Sequence, residues 1–80
     1  MRYTVFLQPV EDPGFEGLYY AHLPTLGLTT HGQGVEGALA AAHDLADLWV
    51  AERASRGEPL PREARGLIGE VELADAVLSA

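Results

Sequence analysis

Three histidines and two carboxylate pairs are the residues of this chain whose chemistry could reach beyond packing. His22 and His31 fall in neighbouring alternating segments with like parity, so a hairpin would bring them together diagonally. His43 falls on the outward side of a helical pattern and cannot join them. A zinc site needs three or four ligands, and no carboxylate or thiol sits at matching parity near the first two histidines. Asp44 and Asp47 stand one helical turn apart, and Glu11 and Asp12 share a loop. Paired carboxylates can hold Mg²⁺ or do acid–base work, but both pairs lie on polar, exposed elements and read as solvated charge. The chain has no Ser-His-Asp pattern, and Gly32-x-Gly34 alone is too short a signal for a phosphate-cradling loop. The expectation is a non-enzymatic chain with no catalytic residue, no metal and no cofactor, whose chemistry is recognition.

Composition narrows what could be recognised. Eighty residues make one domain with a core near the lower end of what folds alone, so an oligomer or a partner that covers more surface is expected. Cysteine is absent, which excludes disulfides and thiolate metal sites and fits a reducing, cytoplasmic setting. The start, Met1-Arg2-Tyr3-Thr4-Val5, alternates like a strand and has no apolar leader. No apolar run approaches the roughly 20 residues of a membrane span. The net charge is −7, and all five basic residues are arginine. Such a surface repels phosphate backbones, so no direct nucleic-acid binding is expected, while a basic protein partner would be drawn toward it.

The elements that must position these residues follow from periodicity. Residues 2–9 alternate and end at Pro9; Glu11-Asp12-Pro13-Gly14 is a loop of turn formers. Residues 18–23 alternate again, Pro24-Thr25-Leu26-Gly27 turns the chain, and 28–31 form a third strand, giving an antiparallel meander. From Gly34 a helical period takes over, with Val35, Ala38, Leu39, Ala42, Leu45, Ala46 and Trp49 on one stripe of a helix over about 35–56. Gly57 is placed to end it in a left-handed cap, and Arg53 and Arg56 complement the dipole. Glu58-Pro59-Leu60-Pro61 is an extended connector, and 68–73 reads as a fourth strand with Val71 and Leu73 inward. A right-handed crossover through the helix puts that strand parallel to and beside the first. The expected fold is therefore α+β, β-β-β-α-β, with spatial strand order 3-2-1-4 and one helix packed on one face. Residues 74–80 are expected to form a short helical tail or to fray.

If Tyr3, Val5 and Leu7 lie under the helix with Tyr19, Ala21 and Leu23, parity turns Thr4, Phe6, Leu18, Tyr20, His22, Thr29 and His31 to the other face. Phe6, Leu18 and Tyr20 are too apolar for a face that meets only water. Phe6, Leu18, Tyr20, His22 and His31 are therefore the candidate surface, for a second copy of the chain or for a foreign partner. Order 3-2-1-4 is similar to part of the RNase H fold. A metal-dependent nuclease of that kind needs carboxylates in its central strand, and residues 2–8 contain none.

One family pattern runs through these elements. Met1-Arg2-Tyr3-Thr4-Val5, Tyr19-x-Ala21-x-Leu23-Pro24, Gly27-x-x-Thr30-x-Gly32, Glu36-x-Ala38-Leu39-x-x-Ala42 and Gly57-Glu58-Pro59-Leu60-Pro61 together span most of residues 1–61. In order and spacing the chain resembles the HicB-like antitoxin family, as a stand-alone HicB-like domain. The resemblance implies a partial RNase H-like fold. It also implies a partner, a small basic HicA-type toxin that cleaves mRNA and is neutralised by direct binding. Many members of that family add a DNA-binding module after the domain; the residues after strand four leave no room for one, so promoter binding is not expected. The alternative is an orphan HicB-like domain that serves as a homo-oligomeric binding scaffold without a toxin. Two features depart from the family pattern. Leu26 stands where a proline is usual, and Gly34 and Gly37 replace a capping box, which predicts a loose first helical turn.

Overall fold

The period-two segments do form a meander. The computed structural model describes residues 1–64 and 66–74, and in these the order is β1 (Phe6–Pro9), β2 (Leu18–Leu23), β3 (Leu28–Gln33) and α1 (Gly34–Ser55). The sheet is three-stranded and antiparallel in the order β1-β2-β3. Phe6 stands opposite His22 and Gln8 opposite Tyr20; on the other side of β2, Tyr20 stands opposite His31 and His22 opposite Thr29. The helix covers one face, so the fold class is α+β with one helix on an antiparallel sheet.

The core is thin. Its buried members are Ala21, Leu23 and Leu26 from the sheet side and Ala38 and Ala42 from the helix, with Tyr3, Val5, Leu7, Tyr19, Leu28, Ala46 and Trp49 packed around them. Leu26, read from sequence as a turn residue, tucks inward. Two successive turns, Leu26 N–H to the Leu23 carbonyl at 3.1 Å and Gly27 N–H to the Pro24 carbonyl at 3.2 Å, swing its side chain under the helix.

The helix starts and stops by different means. Gln33 is the N-cap, one residue earlier than expected, and its side chain makes no capping bond; it donates to the Glu16 carbonyl instead, at 3.0 Å. The C-terminus fits the expectation. Gly57 takes φ +70°, its N–H reaches the Ala54 carbonyl, and the Glu58 N–H reaches the Arg53 carbonyl, both at 3.0 Å. This pair of bonds is the Schellman arrangement. Arg56 bridges Glu58 at 2.8 Å and Glu52 at 3.3 Å, closing the end electrostatically.

At the edges of the sheet one expectation is corrected and another is not shown. The first strand starts at Phe6 rather than Arg2, because β2 ends at Leu23. Continuing the register would put Thr4 opposite Pro24, whose carbonyl is already taken by Gly27. Residues 68–73 lie in no strand; among the described residues the sheet has no fourth member. Leu67, Ile68 and Val71 are instead 101%, 91% and 86% exposed. The connector ahead of them is anchored near the start of β1. Tyr3 Oη donates to the Pro61 carbonyl at 2.7 Å, and the Glu63 carboxylate accepts from the Thr4 N–H at 2.5 Å, the Thr4 hydroxyl and the Thr25 hydroxyl at 3.1 Å. Glu63 thus fills the place that β2 vacates, on the β2 side of Thr4 and away from the free edge of β1. The expected tail over 74–80 lies outside the described residues from residue 75 onward.

The Glu63 anchor has a pH dependence with a definite sign. Hydrogen bonds from the Thr4 hydroxyl, then the Thr4 N–H, and then Thr25 outweigh desolvation and hold its carboxyl below the ordinary carboxylate value. A group whose affinity for protons is lowered in the folded state adds stability above the unfolded carboxylate range and loses it as pH falls through the folded value. The connector is therefore expected to stay docked at neutral pH and to release on acidification. The Thr4 amide resonance, followed through an acid titration, should move with Glu63 protonation. In Glu63→Gln it should occupy a shifted position at neutral pH and lose that transition; an unchanged titration in the variant would refute the anchor.

Candidate functional site

Alternation along β1, β2 and β3 places all five candidate residues on the face opposite the helix. Phe6 is 55% and Tyr20 39% exposed, His31 is exposed, and Leu18 and His22 are half-buried. His22 sits in the middle of this face. Its ring stacks on Phe6, with centroids 5.9 Å apart and planes 22° off parallel, and lies tilted against Tyr20 at the same 5.9 Å. Three rings from two strands thus form one continuous row.

The edges of the His22 ring are held as well. Nε2 lies 3.1 Å from Gln8 Oε1 and Nδ1 lies 3.0 Å from Thr29 Oγ1. With the Gln8 amide oriented oxygen-first, Nε2 carries the hydrogen and Nδ1 accepts from the Thr29 hydroxyl. Both nitrogens are engaged by neutral groups, one from each flanking strand. The ring is a fixed, oriented aromatic plate, with no free nitrogen to abstract a proton from a substrate. Sequence parity had placed Thr29 on this face; Gln8 was missed, although it shares the parity of Phe6, which was the signal available.

His31 stands opposite Tyr20, diagonal to His22, and no contact joins the two imidazoles. Among the described residues no three His, Asp, Glu or Cys side chains gather as metal ligands. His43 lies on the helix, 3.8 Å from Asp44, both well exposed. It also lines, with Asp47, a groove of about 380 Å³ on the other side of the sheet. That groove runs between the residues ahead of β1 (Met1, Tyr3, Val5) and the helix stripe Leu39, His43, Ala46 and Val50, with Leu23 and Ala42 also in its lining. Neither surface brings together an acid, a base and a nucleophile.

No helix of the described residues is long and apolar enough to cross a membrane. Comparison with protein-family models, with curated proteins and with solved structures finds no match for this chain.

Proposed function

We propose that this chain is a HicB-like antitoxin module, a non-enzymatic cytoplasmic protein that neutralises a small basic HicA-type mRNA-cleaving toxin by direct binding. The observation that carries the reading is the Phe6–His22–Tyr20 row on the open sheet face, flanked by Leu18 and His31. Preorganised, half-exposed aromatic rings lose little conformational freedom on contact and are the residue types that dominate binding energy at interfaces. The charge of −7 supports the same partner class, since it would speed encounter with a basic protein and discourage binding to nucleic acid. The reading includes a fourth strand. Residues 68–73 would lie parallel to β1 along its free edge, giving order 3-2-1-4, with Val71 and Leu73 turned into the groove.

The test is co-expression with a basic HicA-type protein. The two should co-purify and the RNase activity should fall. Tyr20→Ala, at an exposed site, should leave the fold intact and weaken binding by about 2 kcal/mol, or about 30-fold. A Tyr20→Ala variant that binds and inhibits like the parent would remove the open face from the reading; a parent that neither binds nor inhibits would remove the toxin. A second reading, the orphan homo-oligomeric binding domain, is favoured by the open groove beside β1 together with the exposed Leu67, Ile68 and Val71.

A further inference from the structure

Charge is distributed unevenly along this chain. Between Arg2 and Arg53 the sequence has seven carboxylates and neither arginine nor lysine, so the whole sheet and most of the helix carry acids without a fixed cation. The two arginines at the helix end are used locally, Arg53 by Glu58 and Arg56 by Glu52 and Glu58. Among the described residues no arginine reaches Glu11 or Asp12. These two lie beside the open sheet face, where a hollow of about 250 Å³ is lined by Gln8, Pro9, Val10, Glu11, Asp12 and Tyr20. Tyr20 is both a wall of this hollow and an end ring of the Phe6–His22–Tyr20 row. The walls are held in place. Gln8 Oε1 is fixed by His22 Nε2 at 3.1 Å, the Val10 N–H bonds the Leu18 carbonyl at 2.9 Å, and the Phe15 N–H closes a turn on the Asp12 carbonyl at 3.2 Å.

We propose that this hollow receives an arginine side chain of the basic partner, with the guanidinium against the Tyr20 ring and its N–H groups on the Glu11 and Asp12 carboxylates. The inference rests on the antitoxin reading above for the partner, and adds which group of the partner is gripped and where. Size points to a side chain, because 250 Å³ falls below the roughly 300–1,000 Å³ of sites that enclose a free small molecule. Charge decides the sign of the occupant. Covering the hollow takes water from two adjacent carboxylates, which an apolar or acidic group would leave unpaired and a cation compensates. The aromatic wall favours arginine over lysine. A planar guanidinium can lie on the ring and donate in a fork to a carboxylate at the same time, and it is more weakly hydrated than an ammonium group. Complementarity of charge, acid on this face and base on the partner, then sets the register in which the Phe6–His22–Tyr20 row is met.

The test begins with a capped Gly-Arg-Gly peptide titrated into the isotope-labelled full chain at low salt. The Gln8 side-chain amide, the Glu11 and Asp12 amides and the Tyr20 ring should shift together and half-saturate near about 10 mM. A peptide with citrulline in place of arginine keeps the shape without the charge and should give no such shift. Glu11→Gln combined with Asp12→Asn, both at exposed positions, should weaken the arginine peptide at least about fivefold. Absent shifts, shifts that persist in the double variant, or shifts that gather on Asp44 and Asp47 instead overturn the proposal. The double variant then meets the co-expressed HicA-type protein, with a loss of affinity of at least about tenfold expected. If that protein binds the double variant as tightly as the parent, the hollow is not its arginine site and the antitoxin reading stands. If the peptide binds as expected and the HicA-type protein does not bind the parent, the hollow stands as an arginine site and the antitoxin reading fails.

Discussion

Gly32→Ala should cost about 3 kcal/mol or more and leave the domain largely unfolded at ordinary temperature. A Cβ at Gly32 would lie 2.4 Å from the carbonyl carbon and oxygen of Gly37 and 2.6 Å from the Ala38 nitrogen. These are backbone atoms, so no rotamer change relieves the clash; the first turn of α1 must lift off β3. That turn carries Ala38, which is buried, and is tied down by the Gly34 N–H to the Gly17 carbonyl. Overpacking of a core costs about 1–3 kcal/mol even where side chains can yield. For a chain of this length, total stability is about 4–12 kcal/mol, and a core of three alanines and two leucines places this one toward the lower end. Neither Gly32 nor Gly37 has positive φ, so steric contact alone decides the outcome. The reverse substitution makes the control. At Gly37 the nearest atom to an added Cβ is 3.6 Å away, an ordinary contact, and alanine there should add up to about 1 kcal/mol of helix propensity. Urea unfolding followed by circular dichroism distinguishes the two, and a Gly32→Ala midpoint close to the parent's would refute the close-approach argument.

Leu23→Ala should destabilise by about 3 kcal/mol, within the range for buried leucines. Leu23 is 2% exposed and, with Leu26, supplies the only large side chains among the described buried residues. It also lines the groove beside β1, so its removal would join the lost volume to that groove instead of leaving a sealed cavity. Leu48, on the far side of the helix at 68% exposure, gives the comparison: its alanine variant should change stability by less than about 0.5 kcal/mol. Equal effects at the two leucines, measured as unfolding free energies, would mean that the core does not lie where the structure puts it.

What could be read in advance was set by local rules. Parity sorted Phe6, Leu18, Tyr20, His22 and His31 onto one face because alternation holds whatever a strand's partner. Gly57 was legible as a cap because its left-handed conformation is required by its immediate neighbours. What escaped depended on contacts between distant segments. Alternation in 68–73 identifies a segment able to pair without naming the edge it pairs with, and the Glu63 anchor ahead of it involves residues 59 positions apart. The shortening of β1 follows from where β2 ends, and the burial of Leu26 from the geometry of two consecutive turns. Gly37, read as a weak point of the helix, is the surface on which Gly32 rests. The family resemblance covers the meander and helix, and the function it implies is a matter for the co-expression experiment.

The helix end has an optical consequence. Trp49 is the sole tryptophan of the chain, and the Arg53 guanidinium lies over its ring, 4.8 Å from the centroid. The same guanidinium donates to the Pro59 carbonyl at 3.2 and 3.3 Å and bridges Glu58 at 3.3 Å. The indole is therefore in mechanical series with the connector: whatever pulls the connector away takes the cation off the ring. Intrinsic fluorescence, without any label, becomes a gauge of whether the segment beyond the helix is seated, and it can be read in every variant that leaves Trp49, Arg53 and Pro59 in place.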